Sequence, residues 1–143
     1  MIVADTSALM AVILGEPTAS ACMTVLEAET EVLLSAGTMA EALIVAGSRG
    51  VGSEMDRLID GLGISVVPTT ASAARRVADA YARWGRGNHR AALNFGDCFA
   101  YALAMERACP LLFVGADFAK TDVEPCVPKR IVRRRGRSPA RRR

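Results

Sequence analysis

A three-layer α/β sandwich, with a short-stranded parallel sheet at its centre and helices on both faces, is the fold class this sequence predicts. Three observations carry the expectation. Four short apolar runs recur along the chain, MIVA at 1–4, VLLS at 32–35, ISVV at 64–67 and LLFV at 111–114, and none shows polar alternation. Each therefore reads as a strand buried on both faces. The segments between them have helical length and composition, and strands joined through crossover helices in one sheet run parallel. A chain of 143 residues fits a single domain with one core system.

Taken in order, the strand at 1–4 is followed by a helix over 6–14 and a second over 17–29, entered through Pro17, a residue suited to a first helical turn. After the strand at 32–35 come helices over 37–48 and 52–61. The strand at 64–67 leads to a helix over 70–84, and GRGNHRAALN at 85–94 is the most loop-like interior stretch. A final helix over 97–108 precedes the strand at 111–114. No internal repeat is visible.

Composition narrows the class. Hydrophobic residues make up 51% and charged residues 23% of the chain, which excludes a disordered protein. The opening MIVADTSALMAVIL lacks a basic start and carries Asp5, so it reads as structure rather than a signal peptide. No apolar run approaches the roughly 20 residues that span a bilayer. The cysteines at 22, 98, 109 and 126 form no CxxC pair and there is one histidine, His89; neither a zinc site nor a disulfide framework is signalled, and a reducing cytoplasm is expected. A ribonuclease working through two histidines is excluded by the same count.

Charge divides the chain into 1–128 and 129–143. The last fifteen residues hold nine of the eighteen Lys and Arg and no acid, leaving nine basic against fifteen acidic residues in the body, a net charge near −6. The tail KRIVRRRGRSPARRR reads as a self-repelling, disordered appendage.

Four acids stand where the pattern is otherwise apolar. Asp5 falls where the first strand ends and the first helix begins; it serves equally as a helix N-cap or as a functional carboxylate. Glu41 lies in GTMAEALIVAG, where its neighbours Ile44 and Val45 leave little room for a wet face, and a charge there is costly without a partner. Asp97 opens a helix apolar on nearly every face, and the helix dipole alone favours a carboxylate there by roughly 0.3–1 kcal/mol. Asp117 follows LLFVGA and could be an ordinary turn residue. Each admits a bland reading singly. Jointly they place four carboxylates near one edge of a parallel sheet, where ligands of such folds gather. Clustered carboxylates repel, and a hard divalent cation, Mg2+ or Mn2+, resolves the repulsion while supporting phosphodiester hydrolysis.

The strings MIVADTSAL, SAGTMAEAL, NFGDCFAYALA and LLFVGADFAKTDV, in this order, resemble the VapC toxins, PIN-domain ribonucleases of bacterial toxin–antitoxin pairs. The resemblance runs over about residues 1–128. It implies a metal-dependent endoribonuclease with Asp5, Glu41, Asp97 and Asp117 as catalytic and metal-binding acids, an RNA substrate, a homodimer, and neutralisation by a cognate VapB-type antitoxin whose tail enters the active-site groove. Thr6, Ser7, Asn94 and Asp122 are candidates to support these acids by hydrogen bonding. The arginine-rich tail departs from the family pattern and is a candidate for contacts to the RNA backbone. His89 reads as a surface loop residue, Phe99 and Tyr101 as buried, and Trp84 as either a packing residue or an exposed contact. Two other classes fit the same fold: a non-catalytic module that binds RNA or protein, and a phosphate-accepting receiver-like domain. The latter fits less well, because the opening strand supplies a single acid rather than an acidic pair.

Overall fold

The computed structural model describes residues 1–126, and the 129–143 tail together with the domain boundary at 128 lies outside them. Ten regular elements follow one another: β1 (Ile2–Ala4), α1 (Thr6–Leu14), α2 (Ala19–Ala28), β2 (Val32–Ser35), α3 (Ala36–Ser48), α4 (Gly52–Gly61), β3 (Ser65–Val67), α5 (Ala71–Trp84), α6 (Phe95–Arg107) and β4 (Leu111–Leu112), with a 3-10 turn at Phe118–Lys120. The strands are all parallel, in the order β3-β2-β1-β4. The predicted fold class is the observed one.

Side-chain alternation along the strands splits the core into two halves. Val3, Leu33 and Leu111 face α5, α6 and the segment between them, in one cluster with Val77, Leu93 and Leu103. Ile2, Ala4, Leu34 and Leu112 face the other way, onto Leu9, Leu26, Met55 and Ile59 of α1, α2 and α4. Burying each of the larger side chains contributes about 1.5–3 kcal/mol, and with both sheet faces covered no polar position is tolerated in β1 or in the first three residues of β2.

Several element readings need correction. β3 is an edge strand, and Ser65 and Val66 are exposed: an apolar run signals burial on both faces only when the strand has neighbours and helices on every side. The last strand stops at Leu112 instead of 114, its outer edge being covered by hydrogen bonds from Leu111 N to Glu124 O and from Cys126 N to Leu111 O, each 2.8 Å. Pro17 lies two residues ahead of α2 instead of in its first turn. α6 starts at Phe95, so Asp97 is inside the first turn and Asn94 is the cap. Helix α3 is less buried than its apolar sequence suggests, with Ile44 72% and Val45 36% exposed. Among the described residues no single helix is long and apolar enough to cross a membrane.

At the α5–α6 interface a polar chain runs from the core to the surface. Trp84, which is buried, donates through Nε1 to the Tyr101 hydroxyl at 2.9 Å, and Tyr101 donates to Asp122 Oδ1 at 2.5 Å. Burial, then the bond to Asp122, push the Tyr101 phenol up to about 12. Arg83 lies 4.6 Å from the Trp84 ring centre and 3.5 Å from Asp122. Trp84 is thus a packing residue, and His89 stacks edgewise on it. Removing the Tyr101 hydroxyl strands a buried indole N–H, which costs about 1–3 kcal/mol. Tyr101→Phe is expected to lower the urea-denaturation free energy by that amount, and the Trp84→Phe/Tyr101→Phe double variant to lose less than the sum of the two single variants.

Candidate active site

The chain steps outward from β1 to β2 to β3, whereas β4 lies on the other side of β1. That reversal opens a crevice beyond the carboxyl ends of β1 and β4, the place where open parallel sheets bind ligands. Asp5 is the first residue past β1, and its N–H donates to Leu112 O at 3.0 Å. Ser7 closes the crevice floor: its hydroxyl donates to Asp5 Oδ2 at 2.6 Å and accepts from Val114 N at 3.0 Å, just past β4. The Ser7 N–H also donates to Asp5 Oδ2, at 3.0 Å. Asp5 is therefore the N-cap of α1, as the capping reading has it. Capping occupies only Oδ2. The other oxygen, Oδ1, is buried with no hydrogen-bond partner, an uncommon and costly state for a carboxylate. Desolvation pushes the Asp5 carboxyl up to about 6, the two Ser7 bonds oppose it, and the charges of Asp97 and Glu41 raise it further.

Asp97 is held in the same manner on the neighbouring helix. Asn94 Oδ1 accepts from Asp97 N at 2.8 Å while Asp97 Oδ2 accepts from Asn94 N at 3.0 Å, a reciprocal capping box. The Asp97 carboxyl is raised above its ordinary value by partial burial and by Glu41 and Asp117, against the lowering influence of the Asn94 N–H and Arg86. Glu41 reaches this group because α3 and α6 approach closely. The Phe99 ring lies over Gly37, and the Glu41 carboxylate lies directly over Gly96, so that a Cβ at either glycine would overlap it. Asp117 sits at the start of the 3-10 turn, exposed, with no capping bond from its side chain.

The four predicted acids thus interact as one electrostatic group: Asp5 with Asp97 and Glu41, and Asp97 with Glu41 and Asp117. It is a loose one, since among the described residues no three His, Cys, Asp or Glu side chains converge into a finished metal cage. The donor set suits a hard cation, being all carboxylate oxygen with one buried oxygen unpartnered.

Among the supporting candidates, Ser7 and Asn94 bond the acids directly. Thr6 does not: its hydroxyl donates at 3.5 Å to Thr38 O and links α1 to α3. Asp122 is engaged by Tyr101 and Arg83 one turn further along α6, so it belongs to the α5–α6 polar chain, drawn there by a phenol that the sequence placed in an apolar core. Three participants escaped sequence reasoning. Gly96 makes room for Glu41. Arg86 brings positive charge to Asp97. Thr38 is fully buried with its hydroxyl unpartnered, one turn before Glu41; the spacing of three along a helix was the available signal.

Residues 2–124 match the family model described as PIN domain, and the chain belongs to that family. Its relatives narrow the group. It is similar to Ribonuclease VapC36 of Mycobacterium tuberculosis, 43% identical over 126 residues that cover 85% of this chain and 91% of that protein. It is likewise similar to Ribonuclease VapC30 of the same organism, at 39% over 124 residues, covering 85% and 95%. The solved structure of M. tuberculosis VapC20, described as a Sarcin-Ricin loop cleaving toxin, superposes with a TM-score of 0.73 at 14% identity over 90% of this chain and all of that one. A toxin–antitoxin complex from Klebsiella pneumoniae gives 0.64 at 18% identity, covering 85% and 93%. At such identities the structural likeness shows the fold.

The raised Asp5 carboxyl has a thermodynamic consequence. The unfolded chain releases this proton near 3.8 and the folded protein near 6, so the folded state binds it more tightly. That stabilisation is complete below pH 3.8 and is lost as pH rises through 6, about 3 kcal/mol in all. In EDTA, wild-type stability relative to Asp5→Asn is expected to fall by that order between pH 4 and pH 7, measured by urea denaturation at each pH.

Proposed function

We propose that this protein is the endoribonuclease toxin of a toxin–antitoxin pair, hydrolysing RNA phosphodiester bonds at the Asp5, Glu41, Asp97 and Asp117 group with Mg2+ or Mn2+. The observation that carries the reading is the buried, unpartnered Asp5 Oδ1 held beside Asp97 and Glu41 at the switch point of the sheet. The VapC ribonuclease names of its relatives support the activity.

Asp5 and Asp97 are the fixed members, each anchored through one carboxylate oxygen by backbone N–H groups, and Glu41 and Asp117 complete the oxygen set from α3 and from the segment after β4. A bound Mg2+ or Mn2+ supplies water activation and stabilises negative charge on the attacking and leaving oxygens. Ser7 holds the Asp5 carboxylate in orientation and keeps β4 against α1. Arg86, close enough to lower the Asp97 carboxyl, offers the positive charge that draws a phosphate toward an otherwise acidic crevice. Neither a serine nor a cysteine nucleophile is required; Cys98 is buried, and burial pushes its thiol up to about 11.

A VapB-type antitoxin, whose tail would occupy the same crevice, is the proposed partner, in keeping with the toxin–antitoxin complex among the structural neighbours. A homodimer is proposed on the exposed Ile44 and Val45 of α3, and a cytoplasmic location on the free cysteines. Residues 129–143, outside the described residues, are proposed to contact RNA backbone.

Incubation with total cellular RNA and Mn2+, with mapping of the cleaved ends, tests the activity. Cleavage is expected to stop in EDTA and in Asp97→Asn, a drop of at least about 100-fold, the upper end of what losing a mere outer partner of a metal site costs, with folding retained or improved because a repelling charge is gone. An Asp97→Asn protein with full activity would remove the assignment. For the tail, deletion of 129–143 is expected to flatten the dependence of log affinity on log salt by about 0.7 for each phosphate that the tail neutralises on single-stranded RNA, measured by titration at several salt concentrations.

A further inference from the structure

Beside Asp97 lies a pocket whose aromatic members neither the acid group nor the core uses. Tyr81 of α5, Arg86 in the following loop, and Asn94 and Phe95 at the start of α6 line an open pocket of about 290 Å3. Phe95 is 70% exposed and Tyr81 39%. Among the described residues, the one ring that Phe95 meets is Phe99, edge to face at 88° with centres 5.0 Å apart. A single exposed aromatic needs no explanation; two of them around one pocket, with a guanidinium and an amide, present a stacking platform with charge beside it.

The polar members are unspent. Arg86 makes no ion pair among the described residues, although its charge reaches Asp97. Asn94 commits its Oδ1 to the Asp97 N–H, while its NH2 makes no hydrogen bond among the described residues. The capping box ties the pocket to the site: Asn94 is bonded to Asp97 in both directions, and Phe95 is the next residue. A group seated in the pocket is therefore held at a fixed offset from the acid.

We propose that this pocket is a nucleobase subsite. An unstacked base of single-stranded RNA lies against Phe95 and Tyr81, the Arg86 guanidinium takes the adjoining phosphate, and the Asn94 NH2 is offered to an acceptor on the base edge. Aromatic side chains recognise bases splayed out of single-stranded loops, which a continuous duplex does not present, and a planar guanidinium suits phosphate. The assignment rests on the ribonuclease reading of Asp97, but binding and cleavage can be read apart.

The test uses the full chain in EDTA with a short fluorescein-labelled single-stranded RNA of mixed sequence. Anisotropy is read at raised salt, where the backbone contacts common to all variants are screened. Phe95→Leu keeps an apolar side chain and removes the π face; it is expected to weaken binding about 5- to 100-fold, with Phe95→Trp restoring it and a blunt RNA duplex insensitive to either change. Equal affinity of wild type and Phe95→Leu overturns the subsite, as does a wild type with no measurable affinity. Cleavage with Mn2+ separates the two readings. If wild type binds through Phe95 without cutting, the subsite stands and the nuclease reading falls; if wild type cuts and Phe95→Leu leaves KM unchanged, the nuclease reading stands and the subsite falls.

Discussion

The Ser7 hydroxyl, shared between Asp5 Oδ2 and the Val114 N–H, is the bond on which the geometry of the crevice depends. The ladder between β1 and β4 ends with the bond from Asp5 N–H to Leu112 O, which leaves the segments past it a gap to be closed by side chains. One hydroxyl, donor to one end and acceptor from the other, bridges that gap across 107 residues of sequence. Asp5 is aligned by the same group, and the segment leading to Asp117 leaves β4 from a fixed point. Ser7 is where the cap of a helix and the floor of a site become the same hydrogen bond.

A second regularity follows from how the acids are anchored. Asp5 and Asp97 each commit one carboxylate oxygen to backbone N–H groups at the beginning of a helix, Asp5 through Ser7 and Asp97 through Asn94. A carboxylate so held loses rotamer freedom once, on folding, and presents its second oxygen in a defined direction. The helix N-terminus also offsets part of the repulsion that four acids exert on one another. A capping aspartate and a functional one are therefore compatible readings of the same residue: under the proposed function, the cap is the means by which the second oxygen is aimed. What remains uncompensated is the buried Asp5 Oδ1, and the raised Asp5 carboxyl expresses that deficit.

The fold was legible because burial on both faces imposes a simple signature, and β1 and β2 obey it. β3 shows its limit: ISVV is as apolar as VLLS, but whether a strand is central or at the edge is a property of the assembled sheet, invisible within four residues. The acids were legible by contrast, as charges in apolar strings. Their support was less so. Thr6 and Ser7 are adjacent hydroxyls, and only the direction of the first helical turn sends Ser7 to Asp5 and Thr6 to Thr38. Asp122 follows an acid-bearing motif but is drawn elsewhere by Tyr101, because a long-range phenol bond leaves no local trace.

Glu41 illustrates how an expected placement can rest on an incomplete argument. Its apolar neighbours suggest a helix α3 closed to water, but Ile44 and Val45 are exposed, so burial of the helix does not direct the glutamate. What directs it is the absence of side chains on the facing elements. Gly37 lets the Phe99 ring settle against α3, and Gly96 leaves the volume that the Glu41 carboxylate fills. Neither glycine has a positive φ, so neither is there for backbone freedom; each is there for what it lacks. In NFGDCFAYALA the glycine before Asp97 is thus part of the acid group in its own right. It leaves room for a carboxylate from another helix within electrostatic range of Asp97, and a Cβ at that position would oblige the Glu41 carboxylate to move while leaving all four acids in the sequence.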